Sequence, residues 1–137
     1  MIYKAIKIFG IAALLLLPFW AGAQQPQSEE EELKQMREAI DKSVESYENM
    51  LDLEVWQSFY VDSILTHDYM ALRDELKEMR DAKMTNSDGY QRVQDKWAEQ
   101  VYVSMQKVLD EEQWAKYLKA GAARDKKSRD KRAAKRK

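Results

Sequence analysis

The chain has no cysteine and a single histidine, His67, among its 137 residues. Without thiols there can be no disulfide staples, thiol nucleophiles, iron–sulfur clusters or cysteine-rich zinc sites. Zinc takes three or four good ligands, and His67 has no second ligand at i+4, so it reads as a solvated residue on a helix surface. Glycine and proline are scarce too, four and two, and neither occurs from Val55 to Met84. There is no phosphate-binding loop, no nucleophile–base pairing and no metal cluster. The sequence therefore reads as a non-enzyme that needs no cofactor.

Charge is unevenly spread. Residues 24–118 hold 11 Lys/Arg against 22 Asp/Glu, a net of −11, whereas residues 119–137 hold 10 against 2, a net of +8. The formal total of −1 hides an acidic body carrying a basic tail. Such asymmetry speaks to partners more than to fold.

The first segment has the three parts of a secretory signal: Lys4 and Lys7 with no acid, an apolar run from Ile8 to Trp20, and the small residues of Ala21-Gly22-Ala23. The run has 13 residues, short of the roughly 20 that span a bilayer. Residues 1–23 are thus expected to be a cleavable signal cut near Ala23, with residues 24–27 a polar leader. No cysteine follows the run, which excludes a lipoprotein anchor.

The remainder reads as all-α. Ser28 followed by Glu31 fits a capping box, and Leu33, Met36, Ile40, Val44, Tyr47 and Leu51 form one stripe at spacings of three and four. After a break near Leu51–Glu54, a second helix of about 30 residues carries Val61, Leu65, Leu72, Leu76 and Met79. Thr85-Asn86-Ser87-Asp88-Gly89 is the clearest turn. A third helix is expected from about Tyr90 to Val108 and a short fourth one after Asp110, with Gly121 as a stop. Residues 122–137 lack any large apolar side chain and are expected to be disordered in isolation.

Two segments share a pattern. Leu53-Glu54-Val55-Trp56-Gln57 and Leu109-Asp110-Glu111-Glu112-Gln113 both read Leu-x-x-x-Gln, 56 residues apart, each between two amphipathic helices. In the second copy Asp110 is placed to cap, and Gln113 to reach back to the cap's own N–H. The pattern restarts a helix after a bend, using Leu53 and Gln57 in one copy and Leu109, Asp110 and Gln113 in the other.

On these paired motifs, the export signal and the order of helix lengths, the chain from about Ser28 to Gly121 resembles the Spy/CpxP family, whose signature is a twice-occurring Leu-Thr-x-x-Gln. The threonine position is held here by Glu54 and Asp110. The resemblance implies a bent, four-helix hairpin in residues 28–121 that dimerises antiparallel into a thin cradle. It further implies a periplasmic location and ATP-independent binding of unfolded protein clients, or a related role in envelope-stress regulation.

Some residues admit two readings. Trp56, Phe59 and Tyr60, crowded at the start of the second helix, either line a client-binding surface or fill a core or dimer interface; the same holds for Trp97, Tyr102, Trp114 and Tyr117. The methionines offer either an adaptable surface or core filling. The acidic runs Glu29–Glu32 and Asp110–Glu112 lack the loop of a calcium site and sit where helices start. In the tail, Lys126, Lys127, Arg129, Lys131, Arg132, Lys135, Arg136 and Lys137 suit an anionic envelope surface, a membrane sensor domain or another polyanion. They equally suit folding back on the acidic body. Export argues against nucleic acid as the partner.

Overall fold

The computed structural model describes residues 28–137; the expected signal and polar leader lie outside them. The described residues are all-helical: α1 (Glu29–Leu51), α2 (Val55–Asp81), α3 (Ser87–Val108), α4 (Glu111–Tyr117), a π-helical turn (Leu118–Ala122) and α5 (Ala123–Lys135). They fall into two units, one ending at Ser58 and the other running from Phe59 to Lys137.

In the first unit, Ser28 Oγ accepts from the Glu31 N–H at 3.2 Å and starts α1. Glu29, Glu30, Glu31 and Glu32 fill the first turn, where negative charge suits the helix dipole. Met36, Ile40 and Leu51 from the expected stripe are buried. Ser43 is buried with them, its Oγ donating to the Ala39 carbonyl at 3.0 Å, which removes the cost of an unpaired hydroxyl. Asp52 ends the helix in the left-handed region (φ 52°, ψ 56°), and the Leu53 N–H returns to the Glu48 carbonyl at 3.3 Å. This is a Schellman ending with aspartate at the position where glycine is usual.

In the second unit, α2 buries Val61, Leu65 and Leu76, α3 contributes Val101 and Met105, and Leu109 and Tyr117 are buried beyond it. Helix α2 ends at Asp81, three residues short of the expected Met84, through a second Schellman motif. Lys83 has φ 57°, its N–H reaches the Arg80 carbonyl, and the Met84 N–H reaches that of Met79 at 3.0 Å. Helix α3 begins at Ser87, three residues before the expected Tyr90, because Asn86 Oδ1 caps the Asp88 N–H at 3.0 Å. The expected turn is therefore shorter, and Gly89 lies in the first turn of α3. Between α2 and α3, Glu75 accepts from Lys96 Nζ at 2.7 Å and from the Trp97 indole at 2.7 Å.

The expectation of a disordered tail is corrected by α5. Gly121 does interrupt the helical path, at φ 137° and ψ −17°, but the chain resumes as 13 residues of α-helix. Hydrophobic content alone forecast disorder; what orders the segment is pairing with carboxylates on α3, described next.

Candidate functional site

The two Leu-x-x-x-Gln copies both build helix starts. In the second, the Asp110 carboxylate accepts from the Gln113 N–H at 2.8 Å and Gln113 Oε1 accepts from the Asp110 N–H at 3.0 Å, a complete capping box. In the first, Gln57 Oε1 accepts from the Glu54 N–H at 2.9 Å, while the Glu54 carboxylate takes the Trp56 indole N–H. Both glutamines are buried and bonded, so these residues serve architecture rather than binding.

The start of α2 is different. At about 100° per residue, Gln57, Val61, Leu65 and Leu76 share one side of the helix, and all are buried. Val55, Trp56, Phe59 and Tyr60 lie on the other side over about 140° of arc. Val55 is 89% exposed, Phe59 67%, and Trp56 and Tyr60 51% each. Phe59 and Tyr60 meet edge to face, centroids 5.7 Å apart. In these two turns large apolar side chains therefore face water while the opposite side is buried, and a contiguous exposed apolar patch is the kind of feature found at interaction surfaces. Val55 belongs to this face although only its three aromatic neighbours stand out in the sequence.

Trp97, Tyr102, Trp114 and Tyr117, the other aromatics with two readings, make contacts within the fold. Trp97 bonds Glu75 and meets His67 at 6.3 Å. Tyr102, Trp114 and Tyr117 form a chain, Tyr102–Trp114 edge to face at 5.0 Å and Trp114–Tyr117 stacked at 5.4 Å. His67 is on the surface as expected, its Nδ1 2.8 Å from Asp68. The acidic runs Glu29–Glu32 and Asp110–Glu112 stand at helix starts. Among the described residues no group of His, Cys, Asp and Glu is placed to hold a metal ion.

The basic tail splits into two faces. Lys126, Arg129, Arg132 and Arg136 turn toward α3. Arg136 reaches Asp88 at 3.1 Å, Arg132 grips both oxygens of Asp95 at 2.8 Å, and Arg129 and Lys126 reach Glu99 at 3.1 and 2.7 Å. The pairing runs antiparallel, rising numbers on α5 meeting falling numbers on α3. Tyr102 lies beyond Glu99, its ring 5.6 Å from Lys126 Nζ and 5.5 Å from the Arg129 guanidinium. Arg129 is buried, 8% exposed. On the opposite face Lys127, Lys131 and Lys135, spaced by four, are exposed, as is Lys137.

Titration follows the seam. Burial pushes the Asp95 carboxyl up, but hydrogen bonds from Arg132 and Gln91 and the charges of Arg132 and Arg136 outweigh it and leave the pKa lowered. Asp88 is lowered by hydrogen bonds from Arg92 and Arg136. Lys126 is raised by its bonds to Glu99 and Asp130. Glu75 is lowered by its bonds from Lys96 and Trp97. Asp88, Asp95 and Glu99 went unnoticed as sites in the sequence. The signal for them was their spacing of seven and four, close to one helix face, matched by the cations of the tail.

Comparison of the chain with protein-family models, curated proteins and solved structures gives no match.

Proposed function

We propose that this protein is an exported, nucleotide-independent binding protein of the Spy/CpxP type, which holds partly unfolded polypeptides in the periplasm. The observation that carries this reading is the exposed face of Val55, Trp56, Phe59 and Tyr60 on two turns whose opposite side is already buried. Aromatic rings give a client large contact area with few rotors to freeze. The paired helix-restart motifs support a bent helical hairpin. Pairing of two copies as an antiparallel dimer would gather two such faces into one cradle.

The test is aggregation of an unfolding model protein, without ATP, in the presence of a sub-stoichiometric to equimolar series of the purified protein. Suppression is expected, and should weaken in Trp56→Ser/Phe59→Ser while circular dichroism stays helical. A well-folded protein that leaves aggregation unchanged would refute the chaperone reading.

A second reading has its own observation. Lys127, Lys131 and Lys135 form an exposed cationic row, suited to docking on an anionic envelope surface or a sensor domain. It predicts salt-sensitive binding to vesicles containing anionic lipid, lost when the three lysines become glutamates. Equal binding by that variant would exclude it.

A further inference from the structure

Three carboxylates on a helix say nothing by themselves; a cationic helix seated on them says what they accept. The α3 seam receives cations at four positions of α5, spaced three, three and four: Lys126, Arg129, Arg132 and Arg136. The fit is specific in shape as well as sign. Arg132 presents a fork to both Asp95 oxygens, the geometry that distinguishes arginine from lysine. Arg129 is buried between Glu99 and the Tyr102 ring, so this position takes a planar guanidinium against an aromatic wall. The helix that fills the seam contributes no large apolar side chain. It is held by charge and by the guanidinium–ring contact, and it joins α4 through a turn whose Gly121 has φ 137°, a hinge no β-carbon-bearing residue readily adopts.

We infer that the face of α3 carrying Asp88, Asp95, Glu99 and Tyr102 is a binding site for arginine-rich helical segments of other polypeptides, and that α5 is its tethered occupant, which such a segment must displace. Tethering is what keeps the site closed. An intramolecular ligand on a short connection acts at an effective concentration on the order of millimolar, so only a basic segment that is abundant or better matched gains access. This site is separate from the apolar face of α2 and stands whether or not that face binds clients.

The test releases α5 and offers its own sequence back. Arg129→Glu/Arg132→Glu in the full chain turns two contacts repulsive. The probe is a fluorescently labelled peptide of residues 122–137, followed by anisotropy at low salt. The control is a peptide of the same composition with the three-three-four spacing scrambled. The released protein is expected to bind the native-order peptide at least tenfold more tightly than the unaltered protein does, and at least tenfold more tightly than it binds the scrambled peptide. Adding Asp95→Lys/Glu99→Lys should abolish that preference. Equal binding of both peptides, or binding indifferent to the lysine substitutions, would overturn the proposal in favour of general attraction to an acidic body. A second measurement needs no variant: excess native-order peptide should accelerate amide exchange across Ala123–Lys135 in the unaltered protein. If exchange there stays unchanged at saturating peptide, α5 is a fixed part of the fold and the inference fails.

Discussion

Replacing Asp95 with asparagine isolates what charge contributes to seating α5. Asp95 accepts two bonds from Arg132 at 2.8 Å and one from Gln91 at 3.0 Å, and its side chain is 13% exposed. Asparagine keeps the shape and one acceptor but removes the charge. One Arg132 bond loses its acceptor and the other loses the carboxylate's charge; with hydrogen bonds to charged groups contributing about 1.5–3 kcal/mol, the change costs about 2 kcal/mol before screening. Arg132 is 38% exposed, and solvent screening brings the expected loss to about 1–1.5 kcal/mol. At 1.36 kcal/mol per tenfold, protection of the α5 amides against exchange should fall about tenfold. Amides at Val101 and Met105, in the buried part of α3, should be affected far less. The pH dependence gives an independent check. Asp95 has a lowered pKa in the fold, so its stabilising contribution is present above the ordinary carboxylate value of about 4 and is lost as pH falls through the folded value. Protection of α5 in the unaltered protein should drop on acidification in that window, and Asp95→Asn should show a smaller drop. Undiminished α5 protection in the variant would refute the assignment of its docking to this pair.

Three further outcomes follow from the local geometry. Gln113→Ala breaks a buried capping box and should cost about 1–2 kcal/mol, read as a lower denaturant midpoint; a loss under about 0.3 kcal/mol would show the box to be idle. Gly121→Ala places a side chain at φ 137°, where the nearest atom is Arg124 Nη2 at 4.0 Å; the penalty is therefore backbone strain rather than collision. It should cost about 1–3 kcal/mol and lower α5 protection, and unchanged protection would mean that the turn relaxes freely. Lys83→Gly removes the strain of a left-handed lysine at φ 57° and should stabilise by about 0.5–1 kcal/mol in thermal or denaturant unfolding, a gain that a destabilised variant would contradict.

Much of the helical layout was legible because it depends on local signals. Ser28 and Asp110 cap as their residue types dictate, and Met36, Ile40, Val61 and Leu65 are buried where the spacing placed them. The end of α1 falls at Leu51, where the break was expected, but the end of α2 was blurred for a physical reason: it uses a left-handed residue that is not glycine, Lys83, so composition gave no stop. The early start of α3 rests on one asparagine side chain, inside a run that otherwise reads as a turn. Helix α5 was misread because its order comes from α3, more than 25 residues away in sequence, and periodicity of apolar residues carries no record of charge pairing. For the aromatics, sequence could not divide exposed from internal. That division depends on which side of α2 is already taken by Val61 and Leu65, leaving Phe59 and Tyr60 outward.

The energetics of α5 argue that its seat is sensitive to surroundings. Ordering a residue's backbone costs roughly 1–2 kcal/mol, and each exposed ion pair returns only about 0.2–1 kcal/mol. Docking is feasible because part of that ordering is local. The helix is rich in Ala, Lys and Arg, good helix formers, and Lys126–Asp130 at 2.9 Å spans one turn. Against what remains stand Arg132 on Asp95, Arg129 on Glu99 and the Tyr102 ring, with no large apolar side chain of α5 to add a salt-independent term. A helix held this way should loosen as ionic strength rises well above about 0.15 M toward about 1 M, where the Debye length falls to about 3 Å, the length of these contacts. The cores built on Ile40 and on Leu65 and Met105 should respond little, since apolar burial does not weaken with screening. Salt thus separates two layers of the molecule, a helical scaffold and a charged latch laid along one face of α3.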